Sequence, residues 1–245
     1  MAKDRSDTVP AAARGSEPAA ASSRAEVEAF IQRARGLAPP IEPGSRGRLI
    51  FALDATMSRQ PTWDEACQLQ ASMFQEAGSI GGLDVQLVYY RGISECRASR
   101  WASDARMLRG LMEKIDCRGG HTQIGRVLGH AVRETEARKV QALVFVGDAM
   151  EEGLDGLCAS AGQLGLRGVP AFMFQEGDDA VAERAFREIA RLTGGAYCRF
   201  DVGAAHQLAE LLRAAAAYAA GGIKALTDLS ARRIAGAQKL LAQMK

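Results

Sequence analysis

The sequence has no uninterrupted apolar run of about 18 residues, so no transmembrane helix is expected. Its first residues, MAKDRSDTVPAAARGSEPAAASS, lack the apolar core of a secretory signal. There is no excess charge of either sign: 31 Lys and Arg stand against 29 Asp and Glu, a net charge of +2. That balance gives no strong basic field and argues against nucleic acid or an anionic membrane as partner. No C-x-x-C pair occurs. The five cysteines, Cys67, Cys96, Cys117, Cys158 and Cys198, are odd in number and widely spaced, as free thiols in a reducing cytoplasm are. No G-x-G-x-x-G follows an apolar run, which speaks against a dinucleotide site, and no Ser-His-Asp or Cys-His arrangement has a supporting context. What is present is ordinary globular usage, 47% apolar and 24% charged over 245 residues, enough to bury a sizeable core.

Residues 1–23 are rich in Ala, Ser, Pro and charge and are expected to be disordered. Ser23 then opens S-x-x-E with Glu26, a capping box, and Val27, Phe30, Ile31, Ala34 and Leu37 follow at helical spacing. Pro39 and Pro40 stop that helix, and PPIEPGSRG links it to the main domain, so residues 24–45 read as a helix and linker. From residue 46 the pattern changes. RLIFALD, VQLVYY, VQALVFVGD, PAFMF and AYCRF are short apolar runs. Helical stretches lie between most of them, at about 62–77, 103–115, 124–138, 154–166 and 179–193, with another at 204–219. Apolar strands alternating with helices predict a doubly wound, mostly parallel sheet buried on both faces. The segment GISECRAS is too short for a crossover helix and predicts a hairpin with one antiparallel edge strand. Gly221-Gly222 then separates the domain, 46–219, from a last helix at 223–243 within a C-terminal segment, 220–245.

In such sheets ligands bind beyond the carboxyl ends of the strands. The first strand ends in Asp54-Ala55-Thr56-Met57-Ser58, the loop before the 124–138 helix carries Gly119-Gly120-His121-Thr122, and the 140–148 strand ends in Gly147-Asp148. Strands that run up and helices that run down bring all three to one edge. Asp54, Thr56, Ser58, Thr122 and Asp148 offer oxygen alone, which suits a hard cation, Mg²⁺ or else Ca²⁺ or Mn²⁺, and does not suit zinc or copper. Two carboxylates formally neutralise one divalent ion, and the hydroxyls add dipoles without charge.

D-x-T-x-S after a buried strand, GG-x-T in a later loop and G-D after a later strand resemble the metal-ion-dependent adhesion site (MIDAS) of von Willebrand factor type A (VWA) domains. The resemblance covers about residues 46–219, including the early hairpin and the late TGGAYCRFD. Thr56 stands where Ser is commoner, with the hydroxyl kept, and His121 falls at a variable position. The resemblance implies a cytoplasmic, non-enzymatic domain that uses Mg²⁺ to hold another protein through that protein's Asp or Glu. Bacterial members of the family often work with AAA+ ATPases or chaperone-like machines, so a partner of that kind is implied. The same edge carries Arg91 on the hairpin, His121, Glu151 after the 140–148 strand and Glu176 after PAFMF; these read as a solvated rim or as a collar that selects an acidic partner. Two other readings remain. One is a scaffold that never uses a metal. The other is a Mg²⁺-dependent phosphatase of the haloacid dehalogenase class, which Asp54 and Gly147-Asp148-Ala149 also resemble. That class usually carries a second acid where Thr56 stands, and a lysine near the edge; Lys139 falls at the base of its strand.

Overall fold

A computed structural model describes residues 46–57 and 60–244. The helix expected at 24–37 lies outside the described residues, as does Ser58. The elements run β1 (Gly47–Asp54), α1 (Gln60–Gly78), β2 (Leu83–Arg91), β3 (Glu95–Ala102), α2 (Ala105–Met112), α3 (Ile124–Ala137), β4 (Ala142–Gly147), α4 (Leu154–Leu166), β5 (Ala171–Glu176), α5 (Ala180–Thr193), β6 (Ala196–Phe200), α6 (Ala205–Ala231) and α7 (Ala235–Leu241). The sheet has six strands in the order β3-β2-β1-β4-β5-β6. Every neighbouring pair is parallel except β2 with β3. The hairpin and its antiparallel edge strand therefore stand where GISECRAS predicts them.

The strands read as continuous apolar runs because both faces are covered. Along β1, Leu49, Phe51 and Leu53 join one core with Trp63, Leu108, Phe172 and Leu212, while Ile50 and Ala52 join the other with Ile124, Leu157 and Phe186. Burying each large side chain of this kind stabilises the fold by about 1.5–3 kcal/mol. The first face is roofed by α1, α2, α6 and α7, the second by α3, α4 and α5. α6 lies close on its sheet because its buried face is alanine: Ala214, Ala215, Ala216, Ala217, Ala219 and Ala220 are all buried. Gly47 completes that approach, since a Cβ there would sit 2.1 Å from the carbonyl oxygen of Ala219.

The C-terminal segment differs from the single helix expected at 223–243. Gly222 takes φ 67° and kinks α6, which then runs on to Ala231. A second break follows at Arg232–Ile234, where Arg233 adopts φ 63°, and α7 turns back along α6. The return is tight: a Cβ on Gly236 would meet the Glu210 carbonyl oxygen at 2.4 Å. Leu226, Leu229, Ala237 and Leu240 all enter the first core. Gln243 closes the fold by donating to the Tyr197 carbonyl at 2.9 Å and accepting from its N–H at 3.0 Å.

One carboxylate ties the kinked helix to α1. The buried Glu76 accepts from Arg213 at 2.8 Å, before the kink, and from Arg232 at 3.2 Å, after it. Arg232 is largely exposed, so the Arg213 bond carries most of the effect. Glu76→Ala is expected to lower unfolding stability by about 1–3 kcal/mol and to raise hydrogen exchange across 223–231. Urea titration and exchange mass spectrometry measure both; unchanged values would show that the tether holds nothing.

Candidate metal-binding edge

The parallel register decides which residues meet. Asp54 pairs with Tyr90 across β1 and β2, Leu53 pairs with Val146 across β1 and β4, and Gly147 pairs with Gln175 across β4 and β5. The carboxyl ends of β1, β2, β4 and β5 thus form one edge, and at the next position of the β1–β4 register Asp54 falls level with Gly147, one residue before Asp148. Asp54 is 3% exposed, and its Oδ1 accepts the N–H of Thr56 at 2.7 Å. That bond folds Asp54-Ala55-Thr56 into a tight turn. The turn is pinned from both sides: the Ala55 N–H donates to the Tyr90 carbonyl at 3.0 Å, and its carbonyl accepts from the Arg118 N–H at 2.9 Å.

The Thr122 loop is fastened in the same way. The His121 N–H donates to the Gly92 carbonyl at 3.1 Å. Gly120 comes so near that backbone that a Cβ would lie 2.3 Å from Gly92 atoms, so the second glycine of the Gly-Gly pair is required by contact. Across the cleft, Thr122 and Glu151 bond reciprocally: the Glu151 N–H donates to Thr122 Oγ1 at 3.0 Å, and the Thr122 N–H donates to Glu151 Oε2 at 3.2 Å. Thr122 Oγ1 keeps a second lone pair after that bond. Glu152 accepts from the N–H groups of Ile124 and Gly125, a carboxylate on the first turn of α3, where no side chain of Gln123 caps the helix.

The electrostatics of the edge are read from Tyr90. Its hydroxyl is fully buried, and its pKa is pushed well above 10 by burial first, then by Asp54, with Asp148 and Glu152 adding to it. Three carboxylates therefore act on one buried point. Among the described residues no group of three or more His, Cys, Asp and Glu side chains is placed to hold a metal. The donor set here has a different composition, with two carboxylates and threonine hydroxyls, all oxygen. Asp54, Thr56, Thr122 and Asp148 all lie on loops at this edge, and their oxygen-only chemistry fits a hard divalent ion.

The rim differs from its expected form at two of four positions. His121 and Glu151 are solvent-exposed and bonded to each other, His121 Nδ1 to Glu151 Oε2 at 2.9 Å. Glu151 is held below the usual carboxylate range by that His121 bond and by the Thr122 N–H. Arg91 is not a free steering charge. Its side chain is 12% exposed, forks onto Glu95 at 3.1 and 3.2 Å and lies over the Tyr89 ring. Glu176 is not a rim acid either. It is 4% exposed, accepting from the Thr62 hydroxyl and, at 3.3 Å, from the Gly203 N–H, so it ties α1 and the β6–α6 loop to β5. Lys139 lies at the opposite edge, donating to the carbonyls of Arg167 and Gly168, which takes it away from Asp54.

Neither Glu152 nor Tyr90 carries a signal in the sequence: an acid after a strand and a tyrosine within one give no sign of what they will face. Glu152→Ala is expected to cost about 1–2 kcal/mol, the loss of a charged helix cap, and to loosen the Thr122 loop. Thermal unfolding and amide exchange at 121–125 test it; full retention of both would show that α3 needs no cap.

No protein-family model matches the chain, and no curated protein matches it. Solved structures do. An aerotolerance-related membrane protein from Bacteroides fragilis, carrying multiple mutations to serine, aligns with a TM-score of 0.54 at 20% identity, over 69% of this chain and 98% of its own. A von Willebrand factor type A protein from Catenulispora acidiphila aligns with a TM-score of 0.57 at 18% identity, over 72% of this chain and 43% of its own. Proximal thread matrix protein 1 from the mussel byssus, solved with zinc in its MIDAS motif, aligns with a TM-score of 0.53 at 17% identity, over 73% of this chain and 49% of its own. The chain thus spans under half the length of the latter two. At these identities the likeness is one of fold: the chain has the α/β fold of von Willebrand factor type A domains.

Proposed function

We propose that this chain is a divalent-metal-dependent protein-interaction domain. The observation that supports it is a set of oxygen donors, buried Asp54 with Thr56 on its turn, Thr122 and Asp148, carried on loops at one edge of the sheet, with Asp54 and Asp148 both acting on the buried Tyr90 hydroxyl. Thr56, Ser58 and Thr122 would hold Mg²⁺, or Ca²⁺ or Mn²⁺, directly, with Asp54 and Asp148 acting through water. The ion would supply a Lewis-acidic position that an Asp or Glu of the partner completes. The chain's own part is to hold those oxygens still. The Asp54–Thr56 turn and the Thr122–Glu151 bridge do so before any partner arrives.

The partner in this reading is a protein offering a carboxylate, of the AAA+ ATPase or chaperone-like kind, met in the cytoplasm. A phosphatase is the weaker reading, because Thr56 stands where a second acid would and Lys139 lies at the far edge. A metal-independent scaffold is weaker for another reason: it gives no account of why Asp54 and Asp148 both act on the one buried hydroxyl of Tyr90.

The test is calorimetric titration of Mg²⁺ into the wild type and Asp54→Ala, with circular dichroism as the fold control. The wild type is expected to bind, and to gain thermal stability with added Mg²⁺ as RT ln(1 + [L]/Kd). Asp54→Ala is expected to lose at least tenfold in affinity, about 1.4 kcal/mol, with an unchanged spectrum. Equal affinity in both proteins would remove the metal from the account.

A further inference from the structure

The sheet ends at β3, and α3 does not cover that last strand completely. Between them lies a half-open groove of about 460 Å³, the size of a small-ligand or peptide cleft. Its floor is Val88, Cys96 and Ala98 from β2 and β3. Its wall is the α3 face that carries Gly125, Arg126, Gly129, His130 and Arg133.

Gly129 sits in the middle of that wall. A glycine inside a helix costs about 1 kcal/mol against alanine. No packing contact requires it here, since a Cβ would meet nothing nearer than the flexible tip of Arg133 at 3.6 Å. The missing side chain is part of what keeps the groove open.

The groove's charged lining is cationic: Arg126 and Arg133 project from α3, and no Asp or Glu lines it among the described residues. Arg97 alternates to the other face of β3, in line with Tyr89, where it pairs with Glu95 at 2.9 Å and takes no part in the groove's charge. Arg126 spends one nitrogen on the Ser94 carbonyl and on Gln123 Oε1, keeping its other donors. Arg133 is exposed, and no hydrogen bond or ion pair occupies it among the described residues. Burial raises the pKa of Cys96 at the floor, with Arg126 and Arg133 pulling it down and Glu152, which caps α3 behind Gly125, pushing it up. His130 is fixed through Nε2 to Gln86 Oε1 at 2.8 Å, and burial lowers its pKa, so the arginines carry the charge.

The shape of the ligand follows from β3. It is an edge strand of eight residues whose one neighbour is β2. An edge strand is a template for an added extended chain, and guanidinium forks match carboxylates bidentately. We propose that this groove binds an extended acidic segment of a partner protein, laid along β3 with its carboxylates on Arg126 and Arg133. This site lies apart from Asp54 and Asp148 and does not depend on a metal.

The experiment is fluorescence anisotropy with the full chain and a fluorescein-labelled peptide alternating glutamate with serine. It is run in EDTA, so that the metal edge takes no part. A second peptide replaces each glutamate by glutamine. Binding of the glutamate peptide is expected, weakening as salt screens the arginines, with no binding of the glutamine peptide. Arg126→Ala combined with Arg133→Ala should weaken binding at least tenfold. Gly129→Leu, which fills the groove and keeps every charge, should do the same, and circular dichroism checks that each variant folds. Asp54→Ala should bind the peptide as the wild type does, so this result and the metal titration fail independently. Equal binding of both peptides, unchanged binding by both folded variants, or binding of inorganic phosphate without the peptide would overturn the proposal.

Discussion

The parallel pairing of β1 with β4 sets Leu53 against Val146, and through that register Asp54 stands beside Gly147 and Asp148. Both strands are buried on both faces, so a slip of one residue would turn Asp54 into the opposite core and expose an apolar side chain in its place. The cost of that slip is what keeps the two acids together. The candidate metal edge is in this sense a by-product of a hydrophobic constraint. The sheet is fixed by leucine, valine and phenylalanine, and the acids are carried where those residues end.

Loops that leave a sheet edge are free to wander unless something holds them, and here the holding is done largely by backbone. Ala55 bonds to Tyr90 and Arg118, His121 to Gly92, and Glu151 to Thr122. Charged side chains are spent on the same task. Glu152 caps α3, Glu176 ties α1 to β5, and Arg91 locks the hairpin through Glu95. A site so braced has little conformational entropy left to lose when it binds.

Much of this was legible in the sequence because burial on two faces leaves a plain mark. RLIFALD and VQALVFVGD announce buried parallel strands, and each ends in the acid that matters. GISECRAS was readable as a hairpin from its length alone. What was not legible depends on partners far away in the chain. Arg91 and Glu176 look like surface charges in one dimension; their pairing with Glu95 and Thr62 is tertiary. The break at Arg232–Ile234 has no proline or glycine to signal it and follows from α7 packing back on α6. Ser58, part of the expected ligand set, lies outside the described residues.

The claim on which the account rests is that a divalent ion sits at the meeting of the β1, β4 and Thr122 loops. Manganese reports its own position by broadening nearby amide resonances. A ¹⁵N-labelled chain titrated with Mn²⁺ is expected to lose first the amide signals of Ala55, Thr56, Thr122 and Asp148, with Mg²⁺ in excess restoring them. Broadening that begins elsewhere, or spreads evenly over exposed acids, would contradict the assignment of this edge as a metal site.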